Sequence, residues 1–121
     1  MKRILVVDDD ARLCEVLAEF LARDGYEPVI AHDGRAALDR LRQGDIDLVI
    51  ADINMPELGG ASLVTMLRKD PDWREFSRLP IIVVSALWDV VSFDLEIQGG
   101  FAKPVRYEEL QPRIRELIGP P

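Results

Sequence analysis

Five short apolar runs punctuate the chain: Ile4–Val7, Pro28–Ala31, Leu48–Ala51, Ile81–Val84 and a weak one at Phe101–Ala102. They are rich in Val and Ile and do not alternate apolar with polar residues. That is the pattern of parallel strands covered on both faces. Between them lie segments with apolar residues at helical spacing. In DARLCEVLAEFLARDG, Leu13, Val16, Leu17, Phe20 and Leu21 recur, and Gly25 stops the helix. In DGRAALDRLRQG, Ala37, Leu38 and Leu41 form the stripe and Gly44 is the stop. ELGGASLVTMLRKD offers Leu63, Met66 and Leu67; YEELQPRIRELIG offers Leu110, Ile114, Leu117 and Ile118. Pro112 is expected in the first turns of that last helix, where its missing N–H costs least. A β-α unit repeated five times, with right-handed crossovers, predicts an α/β fold: a doubly wound parallel sheet with helices on both faces. Ligands of such sheets bind at the carboxyl ends of the strands.

Those ends carry unusual chemistry. The first run leads into Asp8, Asp9 and Asp10, the third into Asp52, the fourth into Ser85, and the fifth into Lys103 and Pro104. The sheet rule gathers carboxylates, a hydroxyl and an ammonium at one edge. Carboxylates packed together repel, and a divalent cation removes that penalty. Oxygen ligands from few side chains, with room for water, suit Mg²⁺ best and Mn²⁺ nearly as well. Asp10 directly precedes the first helix and reads as its N-cap rather than as a ligand. Met55 and Pro56 read as packing and turn geometry.

Composition removes several alternatives. The 121 residues are enough for one domain with a real core. The net charge of −7 argues against non-specific nucleic-acid binding. Cys14 is the one cysteine and His32 the one histidine, so neither a disulfide framework nor a zinc site is expected. His32 reads as a residue at a strand end. The basic-then-apolar start MKRILVVDDD runs into three acids after four apolar residues, which is not a signal peptide. No run is long enough to span a bilayer, and a cytoplasmic location is expected.

The segments ILVVDDD, DLVIADINMPELGG, IIVVSA and KP, in order and on the expected strand ends, resemble the receiver domain of bacterial two-component response regulators. Each motif alone is weak; four in register across essentially the whole chain, residues 1–121, make a strong signal for a single receiver domain. The resemblance implies a five-stranded flavodoxin-like (βα)5 sheet in the order 2-1-3-4-5, similar to single-domain chemotaxis-type receivers. It implies that Asp52 accepts a phosphoryl group. Asp8 and Asp9 match the acidic pair that holds Mg²⁺, with Asp9 the more direct ligand and Asp8 acting partly through water. Asn54 matches the residue whose backbone carbonyl binds the metal. Lys103 matches the lysine that pairs with the phosphoryl group, and Ser85 the hydroxyl that follows it. Pro104 resembles a cis-proline partner of that lysine. The implied partners are a sensor histidine kinase or phosphotransfer protein and a downstream protein target, with no direct contact to nucleic acid or membrane. Gly60 is expected to permit close packing or an unusual backbone angle.

Two features depart from the family pattern. The stretch SALWDVVSFDLEIQGGFAK, Ser85 to Lys103, is about four residues short, so the fourth helix is expected to be short or irregular. The aromatic that usually lies three residues before the lysine falls on Gly100; either Phe101 does its job from a shifted register or nothing does. The same stretch is apolar on two helical faces, Trp88, Val91 and Leu95 on one, Val90, Phe93 and Ile97 on the other. A homodimer or partner surface over 88–101 and the last helix is one reading, and inward folding of all these side chains the other. Two functional alternatives also stand. One is a pseudo-receiver, a binding module that is never phosphorylated. The other is a phosphatase similar to the haloacid dehalogenases, using Asp8 and Asp10.

Overall fold

A computed structural model describes residues 1–53, 55, 58–86 and 96–121. Five parallel strands, β1 (Arg3–Val7), β2 (Glu27–Ala31), β3 (Leu48–Ala51), β4 (Ile81–Ser85) and β5 (Gly99–Ala102), form one sheet in the order β2-β1-β3-β4-β5. Helix α1 (Ala11–Arg23) and the C-terminal helix (Tyr107–Ile118) pack on one face, and α2 (Gly34–Arg42) and α3 (Gly60–Lys69) on the other. The expected doubly wound topology and strand order are both present. Residues 87–95, where a fourth helix and most of the apolar surface were expected, lie outside the described residues.

Strand geometry explains the missing alternation. Side chains of β1 point alternately to opposite faces, Leu5 and Val7 toward α2 and α3, Ile4 and Val6 toward α1 and the C-terminal helix. Both faces carry helices, so both sets are apolar. Coverage on two faces holds for β1, β3 and β4 but not for the outer strands. Ile30 of β2 is 37% exposed. Pro28, which cannot donate to a ladder, sits on this edge strand, where one side needs no donor.

Helix ends follow the capping residues. Asp10 accepts from Leu13 N at 3.1 Å and Asp33 from Ala36 N at 2.8 Å. Gly25 (φ 96°) and Gly44 (φ 92°) turn the chain out of α1 and α2 through left-handed backbone. Gly60 is the first residue of α3. Pro112 is deeper than expected, the sixth residue of the C-terminal helix, so it removes one intrahelical bond, to the carbonyl of Glu108. A 3-10 helix at Pro71–Phe76 was not anticipated. Asp70 caps it at Asp72 N, and Arg42 stacks 3.8 Å over Trp73.

The C-terminal helix is tied to the start of the chain. Lys2 Nζ donates to Ile118 O, and Tyr26 Oη donates to Gly119 O at 2.7 Å. Pro121 lies against Gly25. Among the described residues no helix is long and apolar enough to cross a membrane.

Candidate functional site

Register alone brings two acids together. Val7 pairs with Ala51 across β1 and β3, so the next residues, Asp8 and Asp52, leave the sheet side by side. Backbone bonds prolong the sheet by one step beyond these ends, from Asp52 N to Val7 O at 2.9 Å and from Asp8 N to Ala31 O at 3.2 Å. Both acids are buried, 5% and 7% exposed, while Asp9 is open to solvent. Ligand oxygens of Asp8, Asp9 and Asp52 all lie within 4.8 Å of one another. All three donors are carboxylate oxygens with no nitrogen or sulfur among them. This set fits a hard divalent cation, Mg²⁺ or Mn²⁺, and not zinc.

The other strands supply the positive charge and the hydroxyl. Ser85, fully buried, is the last residue of β4. Lys103 follows β5, its N–H donating to Ser85 O at 3.1 Å, and the Lys103–Pro104 bond is cis as expected. The Lys103 side chain reaches back across β4. Its Nζ donates to Asp8 Oδ2 at 2.8 Å and to Asp52 Oδ2 at 3.0 Å. Burial works against the ammonium, but the hydrogen bonds and charges of Asp8 and Asp52 outweigh it and raise the lysine pKa. Asn54 lies outside the described residues.

Asp8 is fixed at several atoms. Its Oδ1 accepts from Asp10 N at 3.0 Å, and its carbonyl accepts from Cys14 Sγ at 3.4 Å. His32 follows β2, as expected of a strand-end residue, but its Nδ1 also lies 3.3 Å from the Asp8 carbonyl. No sequence pattern pointed to that contact, because it depends on where β2 ends beside β1. Sequence reasoning also missed a cavity of about 70 Å³ between α1 and the C-terminal helix. Its apolar walls include Cys14, Leu17, Val105 and Leu110, and its lining reaches Asp8 and Asp52. Phe20, 42% exposed, stacks on Tyr107 near it at 5.3 Å between ring centroids.

The position of the absent aromatic is now defined. Gly100 pairs with Val83 and Phe101 with Val84, so they face opposite sides of the sheet. Phe101 packs on the side of α1 and the C-terminal helix. It therefore cannot stand in for a side chain at Gly100 by a shift of register.

Known proteins agree with this geometry. The family model for the response regulator receiver domain matches residues 4–115. The DNA-binding response regulator MtrA of Mycobacterium tuberculosis is 36% identical over 97% of this chain, a match covering 50% of MtrA. The probable transcriptional regulator ycf27 of Cyanophora paradoxa is 37% identical over 97% of this chain and 48% of its own length. The chain thus spans about half the length of the curated relatives it matches. Among solved structures, the response regulator TrrA of Thermotoga maritima in complex with Mg²⁺-BeF superposes with a TM-score of 0.82. It is 35% identical over 97% of this chain and 99% of that one. The complex of histidine kinase ThkA with TrrA contains a chain with a TM-score of 0.83 and 33% identity, covering 98% of this chain and 99% of that one.

Proposed function

This chain belongs to the response regulator receiver domain family, and on that premise we propose that residues 1–121 act as one phospho-accepting receiver with Asp52 as the acceptor. The observation that carries this reading is the Lys103 ammonium bridging Asp8 and Asp52 at neighbouring strand ends, with Asp9 beside them. A carboxylate oxygen of Asp52 attacks the phosphorus of a phosphohistidine in line. The P–N bond breaks, the imidazole leaves, and an acyl phosphate forms on Asp52. Positioning and charge supply most of the catalysis of such a transfer. Asp8, Asp9, Asp52 and the carbonyl of Asn54 would hold Mg²⁺. When bound there, the cation supplies positive charge to the phosphoryl oxygens. Lys103 supplies a second positive charge from the β5 side. The Ser85 hydroxyl, at the end of β4, follows the new negative charge and draws its loop with it, which is the switch.

The phosphoryl source is a sensor histidine kinase or a phosphotransfer protein, a reading supported by the solved ThkA–TrrA complex. The output is a protein contact in the cytoplasm, and self-association over 88–101 and the last helix is one form it can take. Family membership places the chain among signalling receivers rather than enzymes. The phosphatase alternative also loses its second acid, because the Asp10 carboxylate caps α1 at Leu13 N.

Intact mass after incubation with acetyl phosphate and Mg²⁺ tests the proposal. One added phosphoryl group that requires the metal and is absent from Asp52→Asn is the expected result. No adduct, together with no binding of beryllofluoride, would leave the pseudo-receiver reading instead.

A further inference from the structure

The first residue of helix α2 touches the loop that follows Asp52. Gly34 N donates to Leu58 O at 3.1 Å. A Cβ on Gly34 would lie 2.7 Å from Leu58 Cβ and 2.8 Å from its Cγ, and closer still to its carbonyl oxygen. All are inside the 3.0 Å that real Cβ atoms respect. Gly34 is helical with ordinary negative φ, so its lack of a side chain serves space and not backbone freedom. The contact is relayed inward. Gly59, next to Leu58, is packed so that a Cβ there would fall 2.9 Å from the carbonyl oxygen of Ile53. Ile53 directly follows Asp52.

We propose that Gly34 is a positioning residue for the phosphoryl-transfer site, setting the place of the Asp52 loop through Leu58, Gly59 and Ile53. This rests on the receiver reading above. At each step the nearest atom an added methyl would meet is a backbone carbonyl oxygen, of Leu58 at Gly34 and of Ile53 at Gly59, and not the far end of a flexible side chain. The loop must move instead, by several tenths of an ångström. The carbonyl and carboxylate that would hold Mg²⁺ lie on that loop, and lost outer support for metal ligands costs about tenfold or more in affinity.

The test compares Gly34→Ala, Gly59→Ala and Leu38→Ala. Leu38, one turn further along α2, is partly buried against the apolar core and controls for lost stability. Two readouts are taken on each folded protein: the Mg²⁺ dissociation constant by calorimetry, and the ¹⁵N–¹H positions of Asp52 and Ile53 without metal. Gly34→Ala should weaken Mg²⁺ binding about tenfold and shift both amides. Gly59→Ala, which needs a smaller displacement, should do the same to a lesser degree and serves if Gly34→Ala does not fold. Leu38→Ala should lower Tm while leaving both readouts near wild type. Unmoved Asp52 and Ile53 amides in the glycine variants, or equal shifts in Leu38→Ala, would overturn the proposal. Failure of the wild type to bind Mg²⁺ would instead count against the receiver reading, and the amide positions would still judge Gly34.

Discussion

Replacing Lys103 with Met keeps a long stem and deletes the ammonium that joins two buried acids. In the native chain Nζ donates to Asp8 at 2.8 Å and to Asp52 at 3.0 Å, and each acid's side chain is 8% exposed. Without it, two carboxylates stand with ligand oxygens no more than 4.8 Å apart. Like unit charges at that separation repel by about 3.5 kcal/mol at an effective dielectric constant of ~20. Lys103 is itself 23% exposed, so water screens part of this. A loss of about 2–3 kcal/mol is expected, below the usual cost of breaking a fully buried pair. The assay is urea unfolding near neutral pH, first with EDTA and then with Mg²⁺. The cation replaces the deleted charge, so Mg²⁺ should stabilise Lys103→Met more than the native protein. Linkage turns that difference into affinity, each 1.4 kcal/mol meaning about tenfold tighter Mg²⁺ binding by the variant. Equal stability of the two proteins in EDTA, or equal gains from Mg²⁺, would refute the view that Lys103 neutralises this pair.

Two further outcomes follow from Asp24 and Cys14. Asp24 accepts from Tyr107 Oη at 2.8 Å, Gln111 Nε2 at 3.0 Å and Arg115 at 3.0 Å; burial pushes its pKa up, but these bonds outweigh it and leave it lowered. Its contribution is therefore complete above the unfolded Asp value of about 3.9 and is lost as pH falls through the lower folded value. Asp24→Ala should cost about 2 kcal/mol at neutral pH, with the gap in urea midpoint narrowing in acid; a gap independent of pH would contradict this. Burial, then the charges of Asp8 and Asp10, push the Cys14 thiol up to about 11. The native protein should resist a thiol reagent such as iodoacetamide at pH 8 and react only on unfolding, and rapid labelling of folded protein would show the assignment to be wrong.

The central sheet was legible because its signal is local. Runs such as Leu48–Ala51 are apolar throughout, and the shared carboxyl edge of parallel strands gathers the acids there, while the β1–β3 pairing sets Asp8 beside Asp52. Asp10 was assignable as a cap for the same reason. The register-dependent features were not. Whether Phe101 could replace a side chain at Gly100 turns on which face each residue takes, and that is fixed by pairing with β4. The weak fifth run hid a strand that starts two residues earlier, because Gly99 and Gly100 bring no side chains to pack. Gly99 is instead covered by the stem of Arg113, 3.3 Å from where a Cβ would stand. The His32 contact with the Asp8 carbonyl and the Gly34 contact with Leu58 join segments distant in sequence. Neither leaves a periodic trace. The 3-10 helix had a local signal, Asp70-Pro71 followed by Asp72 and Trp73, but too few residues to show a period.

The bonds from Lys2 to Ile118 and from Tyr26 to Gly119 hold both ends of the chain at one pole, opposite the acids. This sets the mechanical character of the molecule. Tension applied between the two ends would load those few bonds first and then peel β1 away from its neighbours one rung at a time, as a zipper opens. It would not shear a whole ladder at once. A fluorophore fixed at either end would sit a strand length, about 16 Å for five residues, from the chemistry and leave it undisturbed.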